Sequence, residues 1–186
     1  ACAPYRRLHL CDYNLENIND YGNITNDTLL VDVCLAALHE GQSISGQHGQ
    51  HHTDGSGSSI CTELARSFAD IGDIIRGKDL YRRDKGEETK LEKNLKKIFE
   101  KIKGNNNSTL KDLPLDELRE YWWELNRETV WKAITCDATG GKYFRATCGG
   151  GKNASATYDK CHCIGQAVPT YFDYVPQYLR WFEEWA

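Results

Sequence analysis

Apolar positions recur at helical spacing in five segments of the chain, and the stretches between them are polar, glycine-rich or cysteine-bearing. In "SSICTELARSFADIGDIIRG", Leu64, Phe68, Ile71 and Ile75 follow one another at intervals of four, three and four, which predicts a helix with one buried stripe. Gly72 interrupts it; because a glycine inside a helix costs up to about 1 kcal/mol against alanine, it reads as a point where another helix comes close. On the polar side Arg66 and Asp70, and Asp73 and Arg76, stand one turn apart and predict a solvated or salt-bridged face rather than a catalytic carboxylate pair. Residues 89–103, "TKLEKNLKKIFEKIK", repeat the stripe with Leu91, Leu95, Ile98 and Ile102 and stop at Gly104. Residues 27–39, "DTLLVDVCLAALH", predict a helix capped near Asp27 or Thr28, with Leu30, Cys34 and Leu38 on one face. "PLDELREYWWELNRETVWKAITC" is the most apolar helix, with Leu118, Trp122 and Leu125 on one face and Trp123, Val130 and Ile134 on another, so it is expected at the centre of a bundle. Pro176 suits the first turn of a closing helix that carries Tyr178, Leu179, Phe182 and Trp185.

The intervening segments predict long irregular loops. Residues 41–59 have almost no apolar content and read as a mobile surface loop, because burial cannot offset their ordering entropy. Their His48, His51 and His52 belong to that polar tract rather than to a metal site. The glycine-rich stretch 137–165 carries several cysteines and predicts a stapled loop; its "GGKYFRATCGGGK" lacks the spacing of a phosphate loop. Asn23, Asn26, Asn106, Asn107 and Asn153 each open an Asn-x-Ser/Thr sequon, which marks surface.

With 186 residues, 40% of them hydrophobic, the chain can bury one sizeable core. A net charge of -4 excludes the broad basic field of a nucleic-acid binder, so any polyanion site must be a local patch. The best such patch is the lysine row Lys90, Lys93, Lys97 and Lys101, at intervals of three, four and four, whose ordinary reading is the wet side of an amphipathic helix. No apolar run is long enough to cross a bilayer, and the opening residues lack the apolar core of a secretory signal, so no direct membrane insertion is expected of this segment. Eight cysteines without a methionine (Cys2, Cys11, Cys34, Cys61, Cys136, Cys148, Cys161 and Cys163) predict disulfides formed in an oxidising compartment. The rival reading is zinc on the late cluster, but only the Cys161-His162-Cys163 triplet has close spacing. No nucleophile-base-acid constellation and no cofactor motif emerges, so neither a catalytic residue nor a metal is assigned, and a binding role is expected.

Four stretches, "CAPYRRLHLC", "ARSFADIGDIIRGKDLY", "LREYWWELNRETVWKAITC" and "PTYFDYVPQYLRWFEEWA", carry a resemblance that covers nearly the whole chain. In this order they resemble the Duffy-binding-like domain of malaria parasites. The wording of the last stretch and of "FADIGDIIRGKDLY" is similar to the alpha class, found in the variant erythrocyte membrane protein family of Plasmodium falciparum.

The resemblance implies an all-α, disulfide-linked helical bundle of Duffy-binding-like type with long irregular loops. It implies that residues 1–26 are the end of the first subdomain and a linker, that 27–186 form the helical core of the second, and that the third is absent. Cys2 and Cys11 would then pair with cysteines upstream of this chain, and Cys61 would close onto Cys163 or Cys161, with Cys34, Cys136 and Cys148 unassigned. The implied function is non-enzymatic adhesion on the extracellular face of the infected erythrocyte, to a host receptor that is a protein or a sulfated or blood-group glycan. The neighbour would be a cysteine-rich interdomain region. Candidate contacts are the basic residues Arg6, Arg7, Arg82, Arg83, Lys85, Lys90, Lys93, Lys97 and Lys101. The alternative is a variable spacer that supports the neighbouring region and diverts antibodies. The polar stretches 41–59, 82–89, 104–112 and 137–160 are expected to carry the antigenic differences.

Overall fold

The structure is a computed structural model that describes residues 2–51, 60–81, 86–105, 109–138, 146–149, 151–157, 160–165 and 168–186. Helices α1 (Tyr5–Leu8), α2 (Tyr13–Glu16), α3 (Asn26–His51), α4 (Ile60–Arg76), α5 (Lys90–Asn105), α6 (Leu115–Ile134) and α7 (Gln177–Trp185) build an all-α bundle. Among the described residues the only β pairing is an isolated bridge between Cys148 and Ser155. No helix among them is long and apolar enough to cross a membrane.

The predicted stripes of α4 and α5 are buried along their length, and they meet the aromatic face of α6. Phe68 is the hinge of that core: its ring lies 5.0 Å edge-on to Trp131 and 5.1 Å from Trp123. Gly72 stands where Trp123 crosses α4, and a Cβ there would fall 2.7 Å from the indole ring. The glycine is therefore a packing requirement of the α4–α6 crossing.

Four expectations about the helices change. α4, not α6, is the central helix: Asp70, Asp73, Arg76 and Ser67 are buried with its apolar residues, whereas Leu125 of α6 is 80% exposed. Its polar side is therefore salt-bridged rather than solvated: Asp73 pairs with Arg76 as expected, whereas Arg66 pairs with Glu63 rather than with Asp70. The buried stripe of α3 is Leu29, Val33, Ala36 and Ala37, with Leu30, Cys34 and Leu38 on its flank. Its cap is the reciprocal pair Thr25 and Thr28, each backbone N–H donating to the other's hydroxyl.

The fourth change is the longest. α3 continues to His51, so residues 41–51 are helical rather than loop. The reason is tertiary: Gly41 lets α3 lie directly on α6, where a Cβ would come within 2.0 Å of the Ile134 carbonyl oxygen. One residue earlier, buried Glu40 accepts from the Ser67 hydroxyl and from the Cys11 N–H. Ile44 packs on the core. The side chains of His48 and His51, and all of His52, lie outside the described residues.

α7 presents polar groups and Trp181 inward and its other aromatics outward. Gln177, Arg180 and Trp181 are buried, while Phe182 and Trp185 are 76% and 60% exposed. The inward face is polar because α4 offers it carboxylates.

Candidate functional site

α5 is positioned by its own amphipathicity: Leu91, Leu95, Ile98 and Ile102 fix one face in the core, and the opposite face must meet water. Thr89 caps it by accepting the N–H of Glu92. Lys90, Lys93, Lys97 and Lys101 are all exposed on that outer face, and none forms an ion pair with a described residue. Lys96, outside the row, pairs with Glu88.

The row borders a cleft of about 690 Å³ between the start of α5 and the turn that follows α2. Lys90, Lys93 and Lys97 form one wall, and Asn17, Asn19 and Tyr21 belong to the other. The two walls are tied beneath by Asn94, which donates to the Leu15 carbonyl at 2.8 Å and accepts the Tyr21 hydroxyl. Sequence periodicity identified the lysines but missed the turn residues, because nothing in "LENINDYGN" announces that it will face α5.

Arg6 and Arg7 are not available as receptor contacts. The guanidinium of Arg6 donates to Asp70 at 2.8 Å, to both oxygens of Glu184 and to the Ser67 hydroxyl. Arg7 is 4% exposed and paired with Asp79 and Asp12. Arg6 is placed by Asp70, a buried carboxylate of α4 that needs a cationic partner, and Arg7 by Asp79 and Asp12 outside that helix. Arg82, Arg83 and Lys85 lie outside the described residues.

Asp70 is the centre of this inner network, receiving Arg6, Arg180, Gln177 and the Trp181 indole. Burial pushes its carboxyl up, but Arg6 and Arg180 outweigh burial and hold it below the usual carboxylate range. At Asp73 the balance is reversed. Burial, with the nearby Asp70 charge, outweighs Arg180 and Arg76 and raises the carboxyl from 3.8 to about 6. The folded Asp73 therefore holds its proton more tightly than the unfolded chain does. Its stabilising contribution is fully present below 3.8 and is lost as the pH rises through about 6. Asp73→Asn is expected to remove that part of the pH dependence: urea midpoints across this window should fall with rising pH for the wild type relative to the variant. Parallel curves would contradict the assignment.

A second carboxylate ties the C-terminal end of α4 to α6. The Asp173 carboxylate accepts the Trp123 indole and, through its two oxygens, Nε and Nη2 of Arg127 at 2.8 Å, and its backbone carbonyl accepts Arg76. Arg119 closes the C-terminus of α4 by donating to the Ile74 and Ile75 carbonyls while pairing with Glu92 of α5. These residues hold the scaffold on which the outer face of α5 is displayed.

The cysteines complete the frame. Cys61 bonds to Cys161, and Cys148 to Cys163. Both bonds draw on the late cluster, so the thiolates a zinc site would require are already committed to disulfides. Cys2, Cys11, Cys34 and Cys136 are free thiols within this chain, Cys2 and Cys136 exposed. The Cys11 thiol is pushed up to about 11 by burial and by the Glu40 carboxylate.

The family model "Duffy binding domain" matches residues 1–180. The crystal structure of the NTS-DBL1(alpha-1) domain of P. falciparum membrane protein 1 (PfEMP1) from the varO strain is 42% identical, with a TM-score of 0.84, and this chain covers 43% of it. A PfEMP1 DBLbeta domain, solved bound to ICAM-1, is 36% identical with a TM-score of 0.71, and 44% of it is covered. Both solved domains match over 100% of this chain. The Duffy receptor beta form of Plasmodium knowlesi is 24% identical over 194 residues, which are 100% of this chain and 14% of that protein. The chain thus spans less than half the length of each of these relatives. With the helical frame, the two disulfides and a match from residue 1 to 180, the chain belongs to the Duffy binding domain family.

Proposed function

We propose that this chain is part of an alpha-class Duffy-binding-like domain of the PfEMP1 group, displayed on the outer face of the infected erythrocyte, and that it contributes to adhesion to a host receptor. Duffy-binding-like adhesion domains are receptor-binding and non-enzymatic. The higher identity and structural similarity to the alpha domain than to the beta domain supports the class. A double-domain PfEMP1 structure that joins DBL1-alpha to CIDR-gamma supports a cysteine-rich interdomain neighbour. The division at residue 26 into the end of one subdomain and the core of the next belongs to the same proposal.

The observation that carries the adhesive role is the exposed outer face of α5. Its four lysines are unpaired among the described residues, while the buried arginines are neutralised within the fold. Lysines without an ion-pair partner among the described residues, held on a rigid helix, are placed to meet acidic groups of a partner, protein or glycan.

The test is adhesion of red cells to the complete domain and to its Lys93→Glu/Lys97→Glu/Lys101→Glu variant. A loss of about tenfold or more, equivalent to about 1.4 kcal/mol, is expected. Undiminished adhesion would place the receptor contact elsewhere, and adhesion by neither protein would reduce the domain to a spacer for its neighbour.

A further inference from the structure

We propose that the outer face of α6 docks the lysine row of a second copy of this chain, so that copies held side by side associate head to tail. The contact goes beyond the adhesive reading and does not depend on it, although both use the same lysines.

α6 carries an acidic row that repeats the spacing of the lysine row. Glu117, Glu120, Glu124 and Glu128 follow one another at intervals of three, four and four, as do Lys90, Lys93, Lys97 and Lys101. Residues at such intervals share one helix face. Each row therefore spans about three turns, about 16 Å at about 1.5 Å per residue, and the two stay in register to within about one residue whether the helices run parallel or antiparallel.

The acidic row is only partly neutralised within the fold. Glu120 pairs with Lys78 and, at 3.7 Å, with Arg76, and Glu128 pairs with Lys132 at 3.0 Å. Glu117 and Glu124 are exposed and form no ion pair with a described residue. The carboxylates are strung along the helix rather than gathered, and no group of three or more His, Cys, Asp or Glu among the described residues can hold a metal ion. The same face bears Tyr121 and Leu125, 51% and 80% exposed. The aliphatic stems of lysines cover such residues while their ammonium groups reach the flanking carboxylates, and an ammonium over the Tyr121 ring adds a cation–π contact.

Within one molecule the rows cannot meet. α5 and α6 face each other through Phe99 and Trp122, edge to face at 6.0 Å in the core. At about 100° per residue each row lies about half a turn round its helix from that contact, on the wet side. Between molecules the α5 row of one copy is free to lie along the α6 row of the next. Because the two surfaces differ, the contact is heterologous and leaves one row of each kind open at the ends, where further copies add. A strip of about 16 Å by about 10 Å is far smaller than the about 800 Å² per partner of a stable complex. The association is therefore transient, and it gains from crowding of copies on one surface.

The experiment is sedimentation equilibrium of the complete domain over a concentration series reaching about 1 mM, at about 0.1 M and about 1 M ionic strength. The variants are Lys93→Ala/Lys97→Ala and Glu117→Ala/Glu124→Ala. At the lower salt the wild-type mass is expected to rise past that of a dimer, and either variant alone, or the higher salt, should weaken association about tenfold or more. A mixture of equal parts of the two variants should stop at a heterodimer, since only the α5 row of one and the α6 row of the other remain complementary. Unchanged thermal unfolding of both variants separates lost contacts from lost folding.

A wild-type mass that stays monomeric across the series would overturn the proposal. So would association that Glu117→Ala/Glu124→Ala leaves intact, or a mixture of the variants that stays monomeric. Red-cell adhesion by the same variants keeps the two readings apart, because Glu117→Ala/Glu124→Ala leaves every lysine of the adhesive strip in place.

Discussion

Replacing Asp70 by alanine lowers the unfolding free energy by about 3–5 kcal/mol, the range for breaking a buried ion pair from one side. Its carboxylate is fully buried and accepts from Arg6, Gln177, Arg180 and Trp181. Without it, Arg180 retains Asp73 and Arg6 retains Glu184, but the central anion that the two arginines share is gone. The measurement is urea denaturation followed by tryptophan fluorescence, since Trp181 reports directly on the network. Asp70→Asn preserves shape and one acceptor oxygen, so its loss should be smaller than that of the alanine variant. A loss below about 1 kcal/mol in Asp70→Ala would place this carboxylate among ordinary surface pairs and refute its role as the link between α1, α4 and α7.

The second large effect separates the two disulfides. Chain-entropy arguments assign about 4.7 kcal/mol to a cross-link that closes about 100 residues and about 3 kcal/mol to one that closes about 15. Cys61–Cys161 spans 100 residues and Cys148–Cys163 spans 15. Cys61 and Cys161 are also completely inaccessible, while Cys148 and Cys163 retain slight exposure. Cys61→Ala/Cys161→Ala should therefore cost more stability than Cys148→Ala/Cys163→Ala, read as the difference between their denaturant midpoints. Mild reductant should open Cys148–Cys163 first, as mass spectrometry of alkylated thiols would show. Equal losses, or the reverse order of reduction, would contradict the argument from loop length and burial.

Apolar periodicity made α4 and α5 legible in the sequence, because their stripes follow the helical repeat and every member is buried. It also exposed Gly72 as a contact point. It failed where polar residues occupy interior positions. Glu40 and Gly41 read as the end of α3, yet one is a buried acceptor and the other a close contact with α6. The same limit hid the inner face of α7: Arg180 and Gln177 are interior only because Asp70 and Asp73 wait for them on α4, a fact of tertiary pairing. Arg6 and Arg7, candidate receptor contacts by their charge, are likewise interior through tertiary pairing, Arg6 with Asp70 and Arg7 with Asp79. At the candidate site the lysine row was readable from spacing, whereas the facing turn depended on Asn94 and Tyr21 meeting across 73 residues of sequence. The order of the four motifs carried what periodicity could not, the family itself.

The interleaved arrangement of the two disulfides has a consequence for evolution. Cys148 lies within the segment that Cys61–Cys161 closes and Cys163 lies two residues beyond it, so the two rings share residues 148–161. Insertions between Cys61 and Cys148 enlarge only the larger ring, and doubling a loop's length costs only about 0.6 kcal/mol in closure entropy. Insertions between Cys148 and Cys161 enlarge both rings at once. Lineages can therefore drift in length before Cys148 by small steps that leave the smaller ring untouched, while the shared segment stays doubly clasped.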